Sequence, residues 1–203
     1  MELFESILLH DGTYHHLDLH QARVNKAFQQ FASEMEVPDL ADVLPKIQLA
    51  GKYKVRFMYD LDNEEATFNI EYAEYVPRVI NSMEVVTSDD FDYSMKYADR
   101  SKINQLAESS KADDIIISIN GMVTDGSYFN LAFSDGSNWF TPKTHLLNGV
   151  RRQHLIQTNK IQEVSIRNSD LKDFEQVSLI NAMLDLGELT LPTSAIVNPK
   201  NDG

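Results

Sequence analysis

The pair Asn120-Gly121 constrains this chain more tightly than any other two residues. It separates the apolar runs Asp114–Ile119 and Met122–Thr124. A two-residue loop between such runs needs positive φ at both central positions, which Asn and Gly tolerate. Asp11-Gly12 repeats the signal near the start, between Ile7-Leu8-Leu9 and Tyr14–Leu17. Both halves of the chain are therefore expected to build on antiparallel hairpins.

Helical spacing fills the stretches between them. Asp18 is placed to cap a helix whose apolar side is Ala27, Phe28, Phe31, Ala32 and Met35, and Pro38-Asp39 restarts a second helix with Leu40, Val43, Leu44 and Ile47 on one stripe. Lys52–Tyr59 and Ala66–Tyr75 read as paired strands around a turn at Asp60–Asn63. Residues 1–72 thus form a small α+β domain, and residues 73–79 a linker in which Pro77 pushes its neighbour out of helix. Residues 80–203 form a larger domain. It holds a strand at Met83–Val86, a helix at Arg100–Ser110, strands at Asn130–Phe133 and Asn138–Thr141, a helix from Gly149 to Asn159 and a strand at Glu163–Ile166, before a polar tail at Asn198–Gly203. The expected fold class is α+β, in two domains, with mostly antiparallel sheets and flanking helices.

A chain of 203 residues with 42% hydrophobic and 24% charged side chains has the composition of a globular protein and the length for two small domains. The absence of cysteine excludes disulfides, thiolate metal sites and a cysteine nucleophile. The net charge of −13 is shared evenly: residues 1–79 carry 7 basic and 14 acidic side chains, residues 80–203 carry 11 and 17. An acidic chain without a basic face argues against nucleic acid and anionic membranes as partners. Charges interrupt every apolar run and the first residues carry no basic region, so neither a signal peptide nor a membrane-spanning helix is expected and the cytoplasm is the expected compartment.

Local motifs leave the function open. On a strand, His16, Asp18 and His20 would share one face as a metal triad, but Asp18 as a helix cap turns the two histidines apart. The acidic run Asp60–Glu65 lacks the Gly and the distal Glu of a calcium loop and reads better as a solvated turn. There is no glycine-rich phosphate loop and no nucleophile elbow.

The order of several weaker signals is more specific. Phe4-Glu5-Ser6, Leu19-His20-Gln21-Ala22-Arg23, Val55-Arg56-Phe57, Met95-Lys96-Tyr97-Ala98-Asp99-Arg100, Gly121–Asp125 with Asn130-Leu131, Thr141-Pro142 and Leu147-Asn148-Gly149-Val150-Arg151-Arg152 follow one another along nearly the whole chain. In this order they resemble the class IV aminotransferases, the fold-type IV pyridoxal-phosphate enzymes, a family that includes branched-chain and D-amino-acid aminotransferases and 4-amino-4-deoxychorismate lyase.

That resemblance implies pyridoxal 5'-phosphate as cofactor and assigns residues to it. Lys96 stands where the family has the lysine that binds the cofactor and then acts as the general base. Asp125 stands where the family has a carboxylate, usually Glu, against the pyridine nitrogen. Arg23 corresponds to the arginine that pairs with the phosphate. The backbone at Val150 and Arg151, opening a helix, and the turn at Asn181-Ala182 flank the same group. Arg56 and Arg100 are the expected substrate-binding cations, with Arg100 one helical turn beyond Lys96.

Lys96-Tyr97-Ala98-Asp99-Arg100 is closer to the Lys-His-Leu-Asn-Arg pattern of the lyases than to the Lys-Thr pattern of the aminotransferases. The resemblance therefore implies a lyase that converts 4-amino-4-deoxychorismate to 4-aminobenzoate and pyruvate, with an amino-acid aminotransferase or a non-catalytic cofactor-binding relative as alternatives. It also implies a small anionic substrate bearing an amino group, and a homodimer. Asp125 in place of Glu, Arg151 in place of a common Thr, and a start at the Phe-Glu motif, without the strand and Tyr-Gly segment that usually precede it, depart from the family pattern.

Overall fold

A computed structural model of the chain describes residues 1–62, 66–89 and 91–197. The chain divides into two compact units.

The first unit comprises Met1–Pro77 together with Met95–Asp99. Its elements are β1 (Glu2–His10), β2 (Thr13–Tyr14), α1 (Leu17–Phe31), α2 (Leu40–Val43), β3 (Lys52–Asp60) and β4 (Thr67–Glu74). They form an antiparallel sheet in the order β2-β1-β3-β4. β1 and β3 pair from Glu2 opposite Asp60 to His10 opposite Lys52. Alternation then puts Leu3, Glu5, Ile7 and Leu9 on one face with Val55, Phe57 and Tyr59. Val24, Ala27 and Phe28 of α1 close over that face to make the core. Each such side chain, once buried, stabilises the unit by roughly 1.5–3 kcal/mol. Phe4, Ser6 and Leu8 point to the opposite face.

The first hairpin turns at Asp11 (φ 46°) and Gly12 (φ 76°), but β2 stops at Tyr14 instead of reaching Leu17. The chain leaves it through His16, whose left-handed backbone (φ 54°) precedes the helix without a side-chain cap. Asp18 is therefore not the cap; it lies in the first turn, where its charge suits the helix dipole. α1 ends at Phe31, so Met35 packs on the core from beyond the helix. α2 begins as expected, with Asp39 accepting from Ala41 N at 2.8 Å. It spans four residues only, because Pro45 holds Leu44 extended, and Ile47 lies outside it. The expected turn at Asp60–Asn63 reaches beyond the described residues at Asn63, as does the acidic run to Glu65.

β2 pairs only with Leu9 and His10, which leaves Glu2–Phe4 without a neighbour on that edge. Met95–Asp99 takes the vacancy. Phe4 N donates to Lys96 O and Ala98 N to Glu2 O, both at 3.0 Å, while Leu3 and Tyr97 form an isolated bridge.

The second unit comprises Arg78–Ser94 and the chain from Arg100 onward. It contains β5 (Met83–Ser88), α3 (Ser101–Glu108), β6 (Asp114–Ile119), β7 (Met122–Gly126), β8 (Asn130–Ser134), β9 (Trp139–Pro142), α4 (Val150–Gln157), β10 (Gln162–Val164), β11 (Gln176–Ile180), β12 (Thr190–Pro192) and β13 (Ile196–Val197). One sheet runs β10-β9-β8-β11-β12 and another β13-β5-β6-β7. Asn120 and Gly121 both sit at positive φ and join β6 to β7 as the sequence requires. β6 is buried along its length, as its Ile115-Ile116-Ile117 run demands. The pairs β5·β6, β5·β13 and β9·β10 are parallel, so antiparallel pairing dominates without being universal.

α3 begins after Arg100 and ends at Glu108 instead of Ser110. α4 stops at Gln157 ahead of Asn159 in the left-handed region (φ 56°). The strand expected at Glu163–Ile166 is β10, one residue earlier at its start and ending at Val164. The tail Asn198–Gly203 lies outside the described residues. No helix among the described residues is long and apolar enough to cross a membrane.

Candidate active site

In the first unit the site residues gather around two residues of β1. Glu5 faces the core and is fully buried, a position that costs an isolated carboxylate heavily. α1 supplies what it needs from one face: His20 and, three residues on, Arg23. Arg23 Nε donates to Glu5 Oε1 at 2.7 Å and Nη2 to Oε2 at 2.5 Å; His20 Nδ1 meets Oε2 at 2.5 Å. Burial alone would raise the Glu5 carboxyl, but Arg23 and His20 hold it down at about 2. Burial lowers His20 against the pull of Glu5. A neutral ring then donates from Nδ1 and leaves Nε2, buried and unpartnered, as an acceptor.

On the other face of β1 the Phe4 ring lies under two cations. Arg56 Cζ is 4.5 Å and Lys96 Nζ 4.7 Å from its centroid. Lys96 is thus fixed twice to Phe4, by the backbone bond and by the ring. In strand register Arg56 sits between Ser6 and Glu71. Of the expected residues, the first unit brings together Lys96 and Arg56, and holds Arg23 on Glu5.

In the second unit the loop that follows Asp125 organises the rest. Asp125, next to last in β7, is buried and accepts from Asn130 Nδ2 at 2.8 Å, Leu146 N at 3.0 Å and Leu147 N at 2.9 Å. Burial outweighs these bonds and raises its carboxyl to about 6. Asn130 Nδ2 also donates to Leu147 O at 2.9 Å. α4 starts immediately afterwards, with Val150 buried in its first turn. Arg151 donates from Nη1 to Asp185 Oδ2 at 3.1 Å and from Nη2 to Ala182 O at 3.4 Å, and its Nε is buried without a partner. Arg152 belongs to the framework: it ties Asn148, Pro142 O and Glu163 together and is almost inaccessible. Asn181 folds its turn by accepting from Met183 N and Leu184 N, and donates from Nδ2 to Tyr128 O at 3.3 Å.

Arg100 precedes α3 in non-helical backbone, so it is not one helical turn beyond Lys96; residues 96–98 pair along β1 instead. Its Nη1 donates to Tyr93 Oη at 2.9 Å and its Nη2 to Ser127 O, and its Cζ lies 4.2 Å from the Tyr128 ring centroid. The second unit thereby links Arg100, Asp125, Arg151, Asn181 and Ala182 through the segment Asp125–Asn130.

Glu5, His20 and Tyr128 were not among the expected site residues. Glu5 and His20 carried a signal, since an acidic residue at an inward position of an apolar strand demands partners. Tyr128 carried none. Among the described residues no group of three or more His, Asp or Glu could hold a metal ion.

Each unit holds groups whose chemistry suits pyridoxal phosphate. Lys96 offers a primary amine, Asp125 a carboxylate held in one orientation, and Arg151 a buried guanidinium with a spare N–H beside a helix N-terminus. The family model for class IV amino-transferases matches residues 2–190. The chain belongs to the class IV aminotransferase family. This class IV member is 36% identical over 183 residues to an uncharacterized protein of Haemophilus influenzae, covering 89% of this chain and 97% of that protein. It resembles the crystal structure of a "putative 4-amino-4-deoxychorismate lyase" from Haemophilus somnus with a TM-score of 0.83 and 31% identity, over 91% of this chain and 97% of that one. It shares its fold with a pyridoxal-phosphate-bound hypothetical aminotransferase of Mycobacterium tuberculosis, at a TM-score of 0.77 and 17% identity, over 96% and 81% of the two chains.

Proposed function

We propose that this class IV aminotransferase homologue is a pyridoxal-phosphate-dependent lyase that converts 4-amino-4-deoxychorismate to 4-aminobenzoate and pyruvate. The observation that carries the reading is the state of Arg100: a cation whose hydrogen bonds, among the described residues, go to the neutral oxygens of Tyr93 and Ser127. In a chain of net charge −13, an uncompensated guanidinium is a site for an anion. Aminodeoxychorismate brings two carboxylates. The likeness to the Haemophilus somnus protein favours the lyase over amino-group exchange.

Bound pyridoxal phosphate supplies the electron sink that allows the carbon bearing the substrate amine to lose its proton. The chain does the rest. The Lys96 amine holds the cofactor, then takes that proton and returns one. Asp125 is kept in a single orientation by its three donors. Arg151 and the first N–H groups of α4 hold the phosphate. The ring loses its C4 proton, the C–O bond to the enolpyruvyl group breaks, the ring becomes aromatic, and the departing enolpyruvate takes up a proton on its methylene carbon.

The same reading makes the protein a cytoplasmic homodimer. β4 supports association, because it is an edge strand of exposed residues with Phe68 on its surface. Light scattering at micromolar concentration is expected to give twice the chain mass.

The deciding assay gives cofactor-loaded protein aminodeoxychorismate and, separately, pairs of amino and keto acids. Equal amounts of 4-aminobenzoate and pyruvate are expected. Exchange of an amino group instead makes it an aminotransferase, and neither product a non-catalytic relative. Borohydride should fix the cofactor covalently, with the mass adduct on Lys96.

A further inference from the structure

Tyr128 is a large aromatic side chain left 53% exposed, and mobility of its loop is not the reason. Ser127 beside it donates from both N and Oγ to the buried Asp114, at 3.1 and 2.8 Å. Gly126 N donates to Phe129 O at 2.8 Å, and Phe129 is buried. Tyr128 O accepts from Asn181. The backbone is pinned on both sides of a ring that faces water.

The company this ring keeps is cationic. Arg100 Cζ lies 4.2 Å and Arg78 Cζ 5.7 Å from its centroid. The two cations differ. Arg78 is neutralised by Asp114 Oδ2 at 3.0 Å. Among the described residues Arg100 has no such carboxylate, and its Nε is buried without an acceptor. A rigid, partly exposed aromatic ring and the guanidinium that lies over it thus form one pair. A carboxylate would pair with the second, and a flat unsaturated ring bearing it would lie against the first. An aliphatic amino acid would use the charge and leave the ring in water.

We infer that Tyr128 and Arg100 form a subsite for a carboxylate attached to a planar, unsaturated six-membered ring. The inference rests on the proposed lyase reading for its substrate, and on the Tyr128–Arg100 pair alone for its chemistry. Tyr128 is the specificity element and Arg100 the charge.

The test measures calorimetric binding of benzoate and of cyclohexanecarboxylate, its saturated counterpart, to cofactor-loaded protein. The parent is expected to prefer benzoate. Tyr128→Ala should weaken benzoate about three- to tenfold, the scale of an aromatic pair, and erase the preference, while Tyr128→Phe keeps it. Arg100→Gln should weaken both ligands by roughly tenfold or more. No benzoate binding, no preference in the parent, or an unchanged preference in Tyr128→Ala overturns the inference. The lyase assay separates the two claims. If the parent releases 4-aminobenzoate and Tyr128→Ala leaves KM unchanged, the subsite falls and the lyase stands. If no 4-aminobenzoate forms but benzoate preference depends on Tyr128, the lyase reading falls and the subsite stands.

Discussion

Asn130 and Gly149 approach so closely that a Cβ on residue 149 would lie 2.0 Å from Asn130 Oδ1. The amide cannot retreat freely, because its Nδ2 is held by both Asp125 and Leu147 O. Gly149→Ala is therefore expected to cost about 1–3 kcal/mol, as overpacking does. Asn130→Ala in the same chain should return part of that loss. Thermal melting of the two single variants and the double variant measures the coupling; purely additive effects would remove the clash as the cause.

Asp125 gives the protein a pH dependence of unusual sign. Its folded carboxyl titrates at about 6, above the ordinary 3.8, so the folded state holds the proton more tightly than the unfolded one. Its contribution to stability should fall as pH rises from 3.8 to about 6 and stay low above that, by about 3 kcal/mol in all. Asp125→Asn should flatten this decline in a series of melting curves. An equal slope in parent and variant would assign it to another group.

Glu5 acts in the opposite direction. Its carboxyl is held at about 2, below the ordinary 4.5, so its stabilisation is complete above 4.5 and lost as pH falls through 2. Glu5→Gln leaves Arg23 without its carboxylate and should cost about 3–5 kcal/mol at neutral pH. The variant should then lack the share of the acid-induced loss below 4.5 that Glu5 carries in the parent. Urea unfolding at several pH values decides it.

Arg151 makes a prediction about the cofactor's charge. Arg151→Thr removes a guanidinium and brings back the hydroxyl of the family pattern. Affinity for pyridoxal phosphate should drop roughly tenfold, the worth of one charge-assisted bond, with affinity for pyridoxal unchanged. Fluorescence titration with both ligands reads the difference. Equal losses for the two would place Arg151 away from the phosphate.

The hairpins were legible because turn chemistry is local. Asn120-Gly121 and Asp11-Gly12 fold as their dipeptides dictate. The family was legible through the order of short motifs, since seven of them, each weak alone, follow one another along nearly the whole chain. What escaped notice was set by partners distant in sequence. Asp18 looks like a cap until His16, bound into the end of a hairpin, supplies the left-handed turn. Arg100 looks like a continuation of a helix from Lys96 until residues 96–98 are drawn to β1. Arg151 and Arg152 are adjacent and alike in sequence, yet one reaches the Ala182 turn and Asp185 while the other ties Asn148, Pro142 and Glu163 together. Tyr128 could not be singled out, because an exposed tyrosine in a loop has no pattern around it until Arg100 lies against its ring.

The pairing of Met95–Asp99 with β1 limits how this protein can be divided. A break at Pro77 would separate every residue of β1 from Lys96, although Lys96 O is bonded to Phe4 N. Two fragments cut there would each be incomplete: the first would expose the Glu2–Phe4 edge, and the second would carry the amine without the Phe4 ring beneath it. If co-expressed, they would have to reunite through the short segment Met95–Asp99. A split reporter cut at Pro77 would therefore register reassembly as the capture of one lysine, and neither half could be swapped into a relative as a self-sufficient module.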